Sequence, residues 1–272
     1  MLKPPVWKPE VAWYFWLGGL AGASAPLALA ARLRGNRRLE RSALLGALAG
    51  AAASPVLLVD DLGRPERFLN MLRVFKVTSP MSVGSWVLAG FGAAAGAAAA
   101  SEVTGRARPL GRLAEVAAAA LGPVLSTYTA VLVANTAAPV WHEARRVLPL
   151  VFAGGSMASA GGLASVVTPV SAAGPARRLA VIGAAAELLA TAVMERRLGA
   201  LARPYHTGGA ARAAGLARTL TLAGAAAMLV GGRRRWAAAG AGAMLAAGAL
   251  AQRHAVLQAG SEPALQQPPA GG

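Results

Sequence analysis

Residues 11–31, VAWYFWLGGLAGASAPLALAA, hold no charged side chain, carry four consecutive aromatics (Trp13, Tyr14, Phe15, Trp16) near their start and end against Arg32 and Arg34. A hydrocarbon core about 30 Å thick is crossed by roughly 20 apolar residues in a helix, so this stretch is long enough to span a bilayer. Ala23-Ser24-Ala25 looks like a small-residue cleavage site. However, Lys3 and Lys8 make a thin basic start and the dense basic cluster follows the apolar run, so the segment reads as a retained helix and not a removed signal.

The same pattern recurs along the chain. Windows at 42–61, 81–101, 113–138, 149–170, 179–198, 214–232 and 236–254 complete a set of about eight spans, the seventh being the weakest because it is short and starts near Arg212 and Arg218. With 56% hydrophobic and 14% charged residues and a mean hydropathy of +0.49, the expectation is an all-α, polytopic integral membrane bundle. It would form a single transmembrane helical domain over residues 1–260, with a polar, Pro- and Gln-containing tail at 261–272 expected to be disordered.

The formal charge of +16 would suggest nucleic acid in a soluble protein. Here the arginines sit in short loops at helix ends, where anionic lipid headgroups are the natural partner, and a nucleic-acid role is excluded. Arg32, Arg34, Arg37, Arg38 and Arg41 follow the first span, against Lys3 and Lys8 before it, which places the N-terminus outside the cell membrane. Over all connections the balance is 13 basic residues inside to 14 outside, so the first span alone carries the orientation. With no cysteine, disulfides, iron–sulfur ligation and thiolate metal sites are excluded within the chain. His142, His206 and His254 fall in loops or at a span end, with no facing pair for a membrane haem.

Gly18/Gly22, Gly46/Gly50 and Gly92/Gly96 form GxxxG pairs, which let helix backbones approach where lipid offers no hydrophobic drive. Pro55 and Pro123 lie inside spans and are expected to kink them.

The longest charged stretch between spans is Asp60-Asp61-Leu62-Gly63-Arg64-Pro65-Glu66-Arg67-Phe68-Leu69-Asn70. Gly63 can stop a helix and Pro65 suits the first turn of another, so a short surface helix is expected over 65–75, either a lipid anchor or a docking surface for a peripheral subunit. A second polar connection runs from Asn135 through Trp141-His142-Glu143-Ala144-Arg145 on the same face. His142 beside Glu143 and Arg145 could pass protons to a redox ligand, while Trp141 is equally an interfacial aromatic. Tyr128 and Asn135, seven residues apart, share a helix face and could hydrogen-bond a quinone carbonyl or simply bridge helices. Trp13 and Tyr14 could wall such a site or belong to an aromatic belt. Glu187, with Thr191 one turn on, is the one carboxylate deep in a span; it serves a proton path or pairs with an arginine of a neighbouring helix.

Taken in order, Trp13 to Leu20, Asp61-Leu62-Gly63-Arg64-Pro65-Glu66-Arg67-Phe68, Thr78-Ser79-Pro80-Met81-Ser82-Val83-Gly84-Ser85-Trp86, Tyr128, Ala134-Asn135-Thr136 and Trp141-His142-Glu143-Ala144-Arg145 resemble the NrfD/PsrC family. These are the membrane anchors of polysulfide reductase and related molybdenum complexes. The likeness is densest over 13–146. It implies eight transmembrane helices, no haem, and a site for a quinone (menaquinone or ubiquinone) near the face where an iron–sulfur, ferredoxin-like subunit docks and passes electrons to or from a molybdopterin catalytic subunit. Tyr128 looks like the family's quinone tyrosine; the amide and histidine that some members carry on the first helix have no counterpart between Trp13 and Gly22.

The leading expectation is therefore a quinone-reactive membrane anchor, itself non-catalytic or quinone-reactive within an oxidoreductase complex. Tyr128, Asn135, His142, Trp13 and Tyr14 are the quinone candidates, and Arg64, Glu66, Arg67, Trp141, Glu143 and Arg145 the docking face. The rivals are a proton-translocating or transport module using Glu187 with Asp60 or Asp61, and a purely structural anchor.

Overall fold

The computed structural model describes residues 10–62 and 70–265. Among the described residues there are nine α-helices and no strand. Eight are long: α1 (Glu10–Leu33), α2 (Arg37–Leu62), α3 (Pro80–Thr104), α4 (Arg108–Ala134), α6 (Leu148–Val167), α7 (Gly174–Leu198), α8 (Gly208–Gly231) and α9 (Arg235–Leu265). The ninth, α5 (Pro139–Glu143), is a single short turn between α4 and α6. A 3₁₀ segment, Gly199–His206, joins α7 to α8.

Six of the long helices, α1, α2, α3, α4, α6 and α8, are apolar and long enough to cross a membrane, and the chain is an all-α, multi-pass membrane protein. The expected weak span is among the six, lengthened to Gly208–Gly231. The two long helices that fall short, α7 and α9, do so because they carry polar residues in their interiors: Glu187 in one, Gln252, Arg253 and His254 in the other. The span expected to end at residue 254 instead runs on to Leu265, so helix extends past Ser261 into the stretch expected to be a disordered tail.

Local sequence explains the boundaries. α3 begins where Ser79 accepts a hydrogen bond from the Ser82 amide and Pro80 occupies the first turn, satisfying one free N–H and sacrificing none. It ends at Gly105, whose φ of 67° is the left-handed conformation that closes helices. Helical geometry after the 63–69 segment stops by Met71, so the surface helix expected through Phe75 gives way to a turn, with the Arg73 amide donating to the Asn70 carbonyl. Helices α2 and α4 run through Pro55 and Pro123.

α1 is the most enclosed of the six apolar spans, packed on α2, α4 and α6; α6 in turn packs on α7 and α9, and α8 on α9. The crossing of α1 and α4 is a backbone contact: a Cβ on Gly22 would collide with the Gly122 carbonyl, and one on Gly122 with the Gly22 carbonyl. Ser126 Oγ donates to the Gly19 carbonyl (3.2 Å) beside it. Helices α6 and α7 are as close, with Gly154, Gly161 and Gly183 each against the other helix's backbone. Of the three GxxxG pairs, Gly92 and Gly96 have open space where a Cβ would stand, so close packing is the task of Gly22 and Gly50 and not of that pair.

Gly122→Val forces two backbones apart and should cost about 1–3 kcal/mol, whereas Gly92→Val, on the open face, should leave stability unchanged. Thermal unfolding of the detergent-solubilised variants checks the contrast.

Candidate functional site

The Thr78–Trp86 segment builds one wall of an enclosed site. Ser82 Oγ donates to the Val74 carbonyl (3.0 Å) and accepts from the Lys76 amide (3.0 Å), clasping the preceding loop to the start of α3. The Trp86 ring meets Phe75 edge-on at 6.1 Å. Gly84 is held bare by Tyr128: a Cβ there would lie within the Tyr128 ring, whose Cδ2 stands 2.6 Å from that position. The next residue, Ser85, is buried and gives its hydroxyl proton to the Met81 carbonyl (2.8 Å), which leaves its oxygen lone pairs as acceptors.

Between this wall, the N-terminal half of α1 and the C-terminal half of α4 lies a cavity of about 110 Å³, with Tyr14, Phe15, Ser85, Tyr128 and Leu132 among its lining residues. Met81 also lines it and is half exposed, so the cavity reaches the outer surface of the bundle. Tyr14 and Tyr128 are buried, 6% and 8% exposed. Neither phenol has a hydrogen-bond partner among the described residues.

The structure thus brings together Tyr14 and Tyr128, and separates the other quinone candidates from them. Trp13 points outward, 45% exposed, edge-on to Trp16 at 5.9 Å. Asn135 shares the periodicity of Tyr128 but lies one residue past the end of α4, exposed as its C-cap; the expected helix through 138 is too long. His142 is exposed in α5 and offers its carbonyl to Arg145 Nη1 (3.0 Å). Trp141, expected on the docking face, is 1% exposed. Its Nε1 donates to the Val256 carbonyl at 2.7 Å and its ring fills the space where a Gly260 side chain would stand, so it wedges α5 into α9. Glu143 and Arg145 remain on the surface, 3.7 Å apart. Asp60 and Asp61 fall in the last turn of α2 with side chains outside the described residues, as are Arg64, Glu66 and Arg67.

Glu187 is buried, and its partner is one the spacing did not reveal. Arg253 of α9, fully buried, holds Nη1 3.8 Å from Glu187 Oε1. The guanidinium donates to the Ala249 carbonyl (2.9 Å), the Phe152 carbonyl (2.9 Å) and Ser156 Oγ (3.0 Å), and lies 4.9 Å over the Phe152 ring. Phe152 itself meets Phe15 at 6.1 Å, so two aromatic rings separate this pair from the tyrosine cavity. Gly155 makes the room, since a Cβ there would strike both Glu187 Oε1 and Arg253 Nη1. The signal missed in the sequence is Gln252-Arg253-His254, which reads as the end of a span but lies twelve residues before the end of α9.

Two further cavities lie toward the opposite end of the bundle. One, about 400 Å³, is ringed by charge, with Arg32 paired to the buried Glu115 (3.0 Å) and Arg41 to Glu102 (2.7 Å). The other is an apolar groove of about 450 Å³ between α1, α4, α6 and α7, lined by Pro26, Pro123, Met157 and Ile182 with Arg34 and Arg178.

Fold and site together define a multi-pass α-helical membrane protein with a small phenol-lined cavity near one membrane surface. The model of the polysulphide reductase NrfD family matches residues 1–202, and the chain belongs to that family. No curated relative matches it. The matched region contains every residue of the tyrosine cavity and Glu187, and it stops before α8 and α9.

Removing one member of a buried ion pair leaves an uncompensated charge, which costs about 3–5 kcal/mol. Arg253→Met should therefore destabilise the fold strongly, and adding Glu187→Gln in the same chain should recover much of the loss, measured by thermal unfolding.

Proposed function

We propose that this chain is the quinone-reactive membrane anchor of an oxidoreductase complex, exchanging electrons between the quinone pool and a docked iron–sulfur subunit that serves a molybdopterin enzyme. The observation that carries the reading is the pairing of Tyr14 and Tyr128 in the lining of one cavity, each hydroxyl without a partner among the described residues and the rest of the lining apolar apart from Ser85. A buried polar group without a partner is costly, and two phenols facing one space are suited to donate to the two acceptor oxygens of a quinone. At about 110 Å³ the space is below the ~300–1,000 Å³ of pockets that enclose whole drug-sized ligands. It fits a single ring, with the isoprenoid chain leaving past Met81 into lipid.

When bound, the quinone supplies two-electron, two-proton redox chemistry. The chain's own contribution is to orient the ring through Tyr14 and Tyr128, to keep it against the apolar wall of Phe15 and Leu132, and to hold it close to the surface where electrons arrive. That surface carries the exposed Glu143 and Arg145, a mixed-charge pair suited to a peripheral partner, and Arg64, Glu66 and Arg67 are the further docking candidates. With the N-terminus outside, docking would take place on the outer side of the membrane.

Tyr128→Phe removes one donor and should weaken quinone-linked turnover by about 5- to 150-fold, the equivalent of roughly 1–3 kcal/mol, with artificial-dye activity of the catalytic subunit unchanged. Unaltered quinone kinetics would move the site elsewhere. Charge reversal at Arg64 and Arg67 together should release the iron–sulfur subunit from membranes that retain this chain; full retention of the partner would remove those residues from the docking face.

A further inference from the structure

On the far side of Arg253 from the tyrosines lies a separate cavity of about 270 Å³, enclosed by α7, α8 and α9. It runs from Glu187 in the interior to Glu195 and Arg218 at the membrane surface, eight residues or about 12 Å along α7. Its mouth is charged and ordered: Arg218 Nη2 bonds Glu195 (3.1 Å), and His206 Nε2 stands 3.7 Å from the same carboxylate. Arg196 is the remaining charged group in the lining.

The interior end is polar and incompletely paired. Glu187, Thr191 and Gln252 line this one space, each side chain more than nine-tenths buried, and Glu187 Oε1, Thr191 Oγ1 and Gln252 Nε2 each lack a hydrogen-bond partner among the described residues. Thr221 Oγ1 donates to Glu187 Oε2 at 3.3 Å. Among the described residues the charged groups on this side of Glu187 are Arg253 from α9, with Arg218 of α8 and Glu195 of α7 further out; α6 presents Gly154 and Gly155 to Glu187. Buried polar atoms in proteins are nearly always satisfied by protein or by ordered water, and a polar space of this size has room for several water molecules, each with two or more partners. Moreover, a dry carboxylate and guanidinium held 3.8 Å apart would pair poorly for the desolvation both suffer.

We infer that the α7–α8–α9 cavity is a water-filled proton port, through which Glu187 exchanges protons with the aqueous phase on one side of the membrane only, the side of the α4–α6 loop. A proton entering from water at the Glu195 mouth adds to the Glu187 carboxylate and gives the neutral acid; the Glu187–Arg253 pair passes from net neutral to one positive charge, and nothing else is consumed. The proton leaves by the same route, because Phe15 and Phe152 stand between the pair and the tyrosine cavity. This inference does not rest on the quinone reading.

The chain has no cysteine, so single cysteines report without background. In vesicles bearing the full chain, Thr191→Cys and Ala214→Cys, both in the port, should be modified by a membrane-impermeant cationic methanethiosulfonate from the same side as Glu143→Cys and not from the other. Leu189→Cys, at the same depth but facing outward, should react at least about tenfold more slowly, since a thiol in lipid does not ionise. A pH-difference infrared spectrum should show a carboxylic C=O signal that Glu187→Gln removes. Port cysteines unreactive from both sides, or reactive from the opposite side, would overturn the port. Reactive cysteines with an infrared signal unchanged in Glu187→Gln would leave a wet cavity and overturn the proton exchange.

Discussion

The backbone contact between α1 and α4 at Gly22 and Gly122 is the constraint on which the rest of the structure depends. The two helices are antiparallel, so Tyr14, about 12 Å before Gly22, and Tyr128, about 9 Å after Gly122, rise toward the same membrane surface. Had either glycine carried a side chain, the helices would part and the two phenols would no longer line one cavity. α3 completes the enclosure because Gly84 leaves the Tyr128 ring the space that a Cβ would fill. Small residues here do what hydrophobic burial does in water: they let van der Waals contact hold helices that lipid would otherwise solvate equally well.

A second constraint acts on the other half of the bundle. A guanidinium in the bundle interior needs its donors met, and the two Nη groups of Arg253 recruit carbonyls of α9 and α6, a serine hydroxyl and Glu187, with an aromatic face beneath them, while Nε has no partner among the described residues. The same demand that makes the cluster costly ties α9 to α6 and α7. It also explains why α7 and α9 are less apolar than their neighbours and still pack in the bundle, with Glu187 and Arg253 buried against α6.

Hydropathy alone made the architecture legible, since each long helix overlaps one apolar window, and the short connections force antiparallel neighbours. The site was legible in part. Tyr128 and Tyr14 stand on faces that periodicity identifies, but which aromatic of the Trp13–Trp16 run turns inward depends on the α1–α4 crossing, which no local pattern encodes. Asn135 has the right phase and the wrong length, because α4 stops at Ala134. Trp141 looks like any interfacial aromatic until Gly260, more than a hundred residues away, leaves the space that its ring occupies. Glu187 was conspicuous as a carboxylate in an apolar run, whereas Arg253, amid Gln252 and His254, imitates the polar end of a helix.

The central claim is that the ring of a quinone sits between Tyr14 and Tyr128. Photolysis of the intact complex with a ring-azido quinone, followed by peptide mapping of the labelled chain, tests it most directly. The account predicts label on the segments around Val11–Phe15, Met81–Ser85 and Tyr128–Leu132, displaced by excess unlabelled quinone. Competable label confined instead to the apolar groove at Pro26, Pro123 and Ile182 would contradict it.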